Sequence, residues 1–520
     1  MDLTIPQALE VGRGMAAQGN HLGAAGMFKG ILEHEPENWD IVNRLGASLF
    51  EAGRLHEAFW WFWRAREANP KKAMALTNFA LTLSQLGQPA RAVPDLERAC
   101  ALGEKQGAPT EERALHFNNL GNTLERLGRY KDAEHALRKG IAYKPDDPFP
   151  RYNLGIVLMR LGRHLEGREE LLRSLSLREE LSESVSRLND ADAHYNLGIN
   201  YLLTGEFKEG WEHYEARLLT SDMQQANFGL PTDNKWKPGE SIEGKRIVVH
   251  CEQGVGDCIQ FMRFLPELRR KNPAEIFLVA HRAVRHLVEI EGVRVLQPME
   301  KIIWTGAKEA VGLDIKETFD CWVAQMSLAR YLGVDTEEKI RAVPPWVPKI
   351  PMDKTAEWGR RVYRDGNLDV AVCWAGFFKH KNDAHRSLKL REFATLFDVP
   401  GVNFVSVQQV RPEDAEDVEL LKLSHPAITF LDLTDFADTA AVLLHCDLVI
   451  TADTSVAHMA ASLGIQTWIF IPKFSTDWRW QLGGRVDSPW YPSVTLYRQS
   501  EIGNWRPSLA LAKHDLSLWY

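Results

Sequence analysis

Pro36 and Pro70 lie 34 residues apart, and the same interval separates Gly12 from Gly46, Ala24 from Ala58 and Phe28 from Phe62. A period of that length confines the chain to stacked helical pairs, because one pair cannot bury its apolar face alone and its neighbours must cover it. Within each period a small residue falls at positions 8 and 20, a bulky one at 24 and proline at 32. Small residues let the two helices of a pair approach closely, and proline ends the second helix. The pattern returns in Leu120-Gly121, Ala133, Leu137 and Pro145; in Asn153-Leu154-Gly155, Gly162 and Leu171; and in Asn196-Leu197-Gly198, Gly205 and Tyr214. A degenerate unit with Ala80, Ala92, Leu96 and Ala99 follows Pro70. Six units are expected over roughly residues 5–218, with insertions near 103–112 and 178–189.

This spacing resembles the tetratricopeptide repeat. Such arrays bind extended peptides in the groove lined by the first helix of each pair. Asn78, Asn119, Asn153 and Asn196 all fall at position 6, on that side. A carboxamide both donates and accepts, so the row suits a peptide backbone of any sequence. The aromatic run Phe59-Trp60-Trp61-Phe62-Trp63 lies on a second helix and reads as packing between repeats.

Beyond Arg217 the texture changes. Residues 219–243 are polar with proline and glycine and read as a linker. Apolar runs then alternate with helical stretches, with strands expected at Arg246–His250, Ile276–Ala280, Leu368–Trp374, Val402–Val407, Ile428–Leu431, Leu448–Thr451, Thr467–Ile471 and Val494–Tyr497. That alternation means parallel sheets covered by helices. The proline-rich stretch Val343–Pro351 is a natural seam. The expected organisation is a helical repeat array (1–218), a linker (219–243) and two Rossmann-like α/β domains (244–350 and 351–520) facing across a cleft. The net charge of −8 argues against a nucleic-acid partner. Six scattered cysteines and the lack of a basic-then-apolar leader or a bilayer-length apolar run suggest a cytoplasmic protein.

Four loops at strand ends carry the chemistry. Cys251–Asp257 holds two glycines, Gly254 and Gly256, with Asp257 at a helix start. Gly376–Arg386 concentrates Lys379, His380, Lys381, His385 and Arg386 in an acidic chain and reads as an anion site. Ser406–Arg411 is a third polar strand exit. The fourth, Asp453-Thr454-Ser455, opens a helix whose free N–H groups and dipole suit a phosphate. Ligands of parallel sheets bind beyond the carboxyl ends of the strands, so all four should line one cleft. Trp374, Trp478, Trp480 and Trp490 read as packing at the domain seam before they read as contacts to a sugar or base.

The segments EQGVGDCIQFMRFLP, DLVITADTSVAHMAASLGIQTWIFIP, DWRW and DSPWYPSVTLYRQ resemble bacterial glycosyltransferases that carry tetratricopeptide repeats. Their catalytic half is similar to that of the lipopolysaccharide heptosyltransferases, of GT-B fold; flagellin-modifying enzymes and, remotely, protein O-GlcNAc transferases share the plan. The resemblance implies an inverting, metal-independent glycosyltransferase with no bound cofactor and a nucleotide-sugar co-substrate. Asp257 would be the catalytic base. Gly254, Gly256, Asp453, Thr454, Ser455, Val456 and His458 would hold the donor, with Arg386 or Lys379 on its phosphate. Gln408 and Arg411 match a phosphate-side pair of the O-GlcNAc transferases. The sequence departs from relatives at Gly376-Phe377-Phe378, where a small polar residue usually follows the glycine, and in having Arg rather than Lys at 386. The acceptor expected is a Ser or Thr of a protein held by the repeats, flagellin being one candidate. A glycan transferase, or a non-catalytic adaptor whose α/β half only binds a nucleotide, are the alternatives.

Overall fold

The computed structural model describes residues 3–180, 187–220, 232–296, 302–304, 317–362, 367–380, 382–425 and 428–519. The chain divides into two compact units, Met1–Ala193 and His194–Tyr520. The division falls inside the last repeat rather than at residue 218, so the final helical pair is built into the α/β unit.

The first unit is helical throughout. Its pairs are Ile5–Ala17 with His21–His34, Trp39–Glu51 with Leu55–Ala68, Ala73–Gln85 with Pro89–Gln106, Thr110–Arg126 with Tyr130–Tyr143, and Pro148–Arg160 with His164–Glu180. Glycine at position 8 does what its size predicts. A Cβ added at Gly12 would lie 2.8 Å from the Phe28 ring, at Gly46 2.7 Å from Phe62, and at Gly121 2.5 Å from Leu137. Phe28, Phe62 and Leu137 are buried in one continuous core. The insertion near 103–112 lengthens Pro89–Gln106, which stops at Gly107 with φ +63°. The second insertion falls largely on 181–186, outside the described residues. Not all of the aromatic run is packing: Phe62 is buried, whereas Trp60 is 63% exposed and Trp63 42% exposed.

The second unit begins with the end of helix Arg187–Thr204 and with Phe207–Tyr214. Its strands are β1 (Arg246–His250), β2 (Glu275–Val279), β3 (Val293–Val295), β4 (Ile302–Trp304), β5 (Glu317–Phe319), β6 (Cys321–Ala324), β7 (Leu368–Cys373), β8 (Val402–Ser406), β9 (Ile428–Phe430), β10 (Leu448–Ala452), β11 (Gln466–Ile471) and β12 (Val494–Arg498). One sheet has the order β3-β2-β1-β6 and another β12-β11-β10-β7-β8-β9; β4 and β5 pair separately. These strands pair in parallel throughout. The central strand β10 is buried at every position, as a strand covered on both faces must be. All eight expected strands are present; the short β3 to β6 were not expected. The Val343–Pro351 seam is chain without regular secondary structure between two helices.

The expected linker is not loose throughout. Residues 221–231 lie outside the described residues, but Trp236 is buried and its backbone N–H donates to Trp322 O of β6 at 2.8 Å.

Candidate functional site

In the six-stranded sheet the strand order reverses between β7 and β10. A crevice opens at such a reversal, because the loops on either side leave toward opposite faces. The loop after β7 carries Arg386, and the loop after β10 carries Asp453, Thr454 and Ser455. The corresponding exit of β1 leads through Gly254 into the helix Val255–Phe261.

That helix and Ser455–Ser462 meet at their first turns. A Cβ at Gly256 would lie 2.6 Å from His458 Cδ2, so only glycine lets the helices approach this closely. Gly256 therefore makes room for a protein side chain. Gly254 also acts locally, its N–H donating to Asp257 Oδ2 at 2.8 Å. His458 is buried, stacks on Trp480 at 5.5 Å and shares a 3.0 Å hydrogen bond with the Tyr491 hydroxyl. Burial, reinforced by Arg479, pushes its pKa down to about 3, so the ring is neutral.

Arg479 was not singled out in the sequence, and it organises this corner. It comes from the 3₁₀ turn Trp478–Trp480 and its side chain is only 5% exposed. The guanidinium donates to Asp257 Oδ1, to Gln260 Oε1, and to both oxygens of Asp477, the last at 2.9 and 3.0 Å. Burial alone would lower its pKa, but Asp477 and Asp257 outweigh that and keep it protonated. Asp257 remains 21% exposed. Burial raises Asp477, but Arg479 overrides this and holds it below the usual carboxylate range. Asp453, by contrast, is pushed up to about 6 by burial and by the charge of Asp477, against the pull of Arg386. A carboxylate charge is thus costly at Asp453.

Arg386 lies against Gly376, where a Cβ would sit 2.7 Å from its Nη2. Its Nε is buried and has no hydrogen-bond partner among the described residues. A half-buried guanidinium with an unused N–H can receive an anion. The loop that presents it is clamped. Ser387 donates to Asp383 at 2.6 Å, Asp383 accepts from Arg411 at 3.1 Å, and Gly376 N–H donates to Ser387 at 3.0 Å. Arg411 also donates to Asp414 at 2.9 Å. Gln408 accepts from Ala375 N–H at 2.9 Å and donates to the Gln409 carbonyl at 2.8 Å. Gln408 and Arg411 thus hold strand ends and loop together. Lys379 is exposed beside Phe378, 5.6 Å from its ring; Phe377 and Phe378 are 63% and 51% exposed. Lys381 lies outside the described residues.

At the second helix start, Thr454 Oγ1 accepts from Val456 N–H at 3.2 Å and Thr454 O from Ala457 N–H at 3.1 Å. Those two amides are used. Trp374, Trp478, Trp480 and Trp490 are all buried, in line with packing. Among the described residues no cluster of three or more His, Cys, Asp or Glu could hold a metal, and no helix is long and apolar enough to cross a membrane.

Behind the Asp257 loop sits a buried ionic cluster that the sequence did not announce. Arg217 donates to Glu252 at 2.7 Å and to Ser327 at 2.8 Å, tying the final helical pair to the exits of β1 and β6.

The row of asparagines is not one surface of equivalent groups. Asn78 donates to Asn43 at 2.7 Å and Asn153 to Asn118 at 2.8 Å, linking each repeat to the one before. Asn119 is buried and its Nδ2 has no partner among the described residues. Asn196 belongs to the second unit.

Models of the tetratricopeptide repeat match residues 12–73, 71–146 and 118–179. The helical half is a tetratricopeptide-repeat array. The whole chain is similar to Protein FlbA of Caulobacter vibrioides, with 25% identity over 93% of this chain and 79% of that protein. It is also similar to the mouse Protein O-mannosyl-transferase TMTC3, 25% identical over 35% of this chain but only 20% of that protein; that match lies on the repeats. Among solved structures, the thermophilic repeat protein TTC0263 of Thermus thermophilus aligns over 38% of this chain with 18% identity and a TM-score of 0.32.

Proposed function

We propose that the second unit is a GT-B glycosyltransferase that moves a sugar, with inversion, from a nucleotide-sugar donor to a hydroxyl of a protein held by the repeats. The observation that supports this is a carboxylate and a cation at the exits of two parallel strands, β1 and β7. Asp257 is a partly exposed carboxylate that can take a hydroxyl proton, and Arg386 is a partly buried cation whose Nε finds no partner among the described residues. In this reading Asp257 takes the proton from the acceptor as its oxygen attacks the anomeric carbon. The bond from that carbon to the donor phosphate breaks, and the leaving phosphate collects its charge on Arg386 and on the Thr454 and Ser455 amides. Lys379 serves the mouth of the site, and Asp453 faces the uncharged part of the donor. The 25% identity to FlbA along nearly the whole chain supports reading repeats and sheets as one inherited arrangement.

Melting the protein against ADP-, GDP-, UDP- and CMP-linked sugars tests this. One donor at 100 times its dissociation constant should stabilise by about 2.7 kcal/mol. Arg386→Gln should weaken that donor ~10- to 100-fold, the value of a hydrogen bond to a charged group. No shift with any donor, and no donor hydrolysis, would remove the transferase reading; a shift without sugar release would leave a nucleotide-binding adaptor.

A further inference from the structure

Asp257 and Arg479 stand 222 positions apart in sequence, and the structure joins them directly. The arginine is held independently of the carboxylate it serves. Its guanidinium carbon lies 4.2 Å from the centre of the Trp478 ring. Trp478 is wedged against Trp211 at 5.4 Å, Tyr214 at 5.9 Å and Trp490 at 5.7 Å. Trp211 in turn donates its indole N–H to Val334 O at 2.9 Å. Two of these rings, Trp211 and Tyr214, belong to the last helical pair. The turn that carries Arg479 is therefore fixed by packing before any ligand arrives.

From this geometry we infer that Arg479 is the positioning residue of the base Asp257, fixing the carboxylate on the first turn of its helix and keeping it apart from the neighbouring Asp477. The inference rests on the assignment of Asp257 given above. Arg479 donates to one oxygen of Asp257 and the Gly254 N–H to the other. Two donors on two oxygens fix the carboxylate plane, and each oxygen keeps a second lone pair for the acceptor hydroxyl. Asp477 occupies the other arm of the fork, so the two carboxylates share one cation and do not face each other bare. A lysine would supply the charge but not the fork. Each nitrogen of the guanidinium already donates to protein and at least one of its five N–H groups is left over, so Arg479 has less to offer a phosphate than Arg386 has.

In the reaction Arg479 exchanges no atoms. The acceptor proton passes to Asp257, the new bond forms at the anomeric carbon, and the old C–O bond breaks with its electron pair on the departing phosphate. A base displaced by ~1 Å costs ~100-fold in rate. Arg479→Gln should therefore lower kcat about 100-fold, while the donor-induced melting shift stays within about threefold in implied affinity. Arg479→Lys should recover part of kcat. In an Asp257→Asn background, Arg479→Gln should cost nothing further in rate. A weaker donor with unchanged kcat would overturn the inference and make Arg479 a phosphate ligand. An unchanged kcat with an inactive Asp257→Asn would overturn it while leaving the base assignment standing. A fully active Asp257→Asn would remove the base assignment itself. Thermal melts of the two single variants and the double variant need no substrate: the double should lose less stability than the sum, and strict additivity would overturn the link.

Discussion

The repeat array and the paired sheets solve the same packing problem at different sequence distances. In the array, Gly121 makes room for Leu137, and Asn78 reaches Asn43 in the preceding repeat. Each partner is one pair or one period away, so the pattern repeats and can be read. In the sheets, Gly256 makes room for His458 and Arg479 reaches Asp257. Those partners lie about 200 residues apart and occur once. The same residue types thus report architecture in the first region and a particular site in the second.

Four outcomes would break or sharpen that contrast. The largest is expected at Asp257. Its replacement by Asn should cut transfer by roughly 10²–10⁴-fold with donor stabilisation intact, whereas no single substitution in the array should touch donor hydrolysis.

Next is acid stability. The neutral His458 ring stays unprotonated in the fold down to about pH 3, while the unfolded chain takes its proton near the usual value of 6.5. Between those values the unfolded state binds more protons, so stability falls as the pH drops. The effect is at most ~5 kcal/mol at ~1.4 kcal/mol per unit. His250, pushed down to about 4 by burial, adds to it. Asp453 opposes it, because the folded state takes that proton first, from about pH 6 downward. Melting temperatures from pH 7 to 4 should therefore fall steeply in the wild type and less steeply in His458→Asn.

A matched pair of glycine substitutions comes third. Ala at 121 would meet Leu137 at 2.5 Å and Ala at 256 would meet His458 at 2.6 Å. Each should cost about 1–3 kcal/mol of stability, as overpacking usually does. Only Gly256→Ala should also lower kcat, because His458 sits under the turn that holds Asp257. Equal activity in both would mean that the contact at 256 is structural alone.

The smallest effect is expected at Asn78. Its loss removes one side-chain hydrogen bond to Asn43, worth about 1 kcal/mol. If Asn78→Ala instead abolished binding of an acceptor peptide without altering the melt, the row would serve a ligand more than the stack.

Much of this was legible early because it is local. The period, the small residues at position 8, the eight longer strands and the capped start at Thr454 follow from neighbours within one or two turns or along one strand. Strand β6, Cys321–Ala324, was not expected although it is buried at every position, as the expected β10 is. Gln408 and Arg411 looked like ligand groups because their spacing after β8 is right. Only the folded loop shows that Asp383, Asp414 and the backbone already use them. Arg479 is harder to read for the opposite reason: DWRW carries a resemblance but assigns its arginine no role, and although Asp477 stands two residues away, Asp257 meets it only in space.

The sequence by itself determined a helical array followed by parallel sheets, and it marked the strand ends at which chemistry gathers. Periodicity and strand-end loops are properties of short windows, and short windows are what a linear chain displays. The tertiary structure decided which cation is free and which is engaged, and which glycine admits a neighbour. It also decided that the last helical pair belongs with the sheets. Burial and charge pairing are set by whichever groups meet, and at this site those meetings join residues about 200 positions apart.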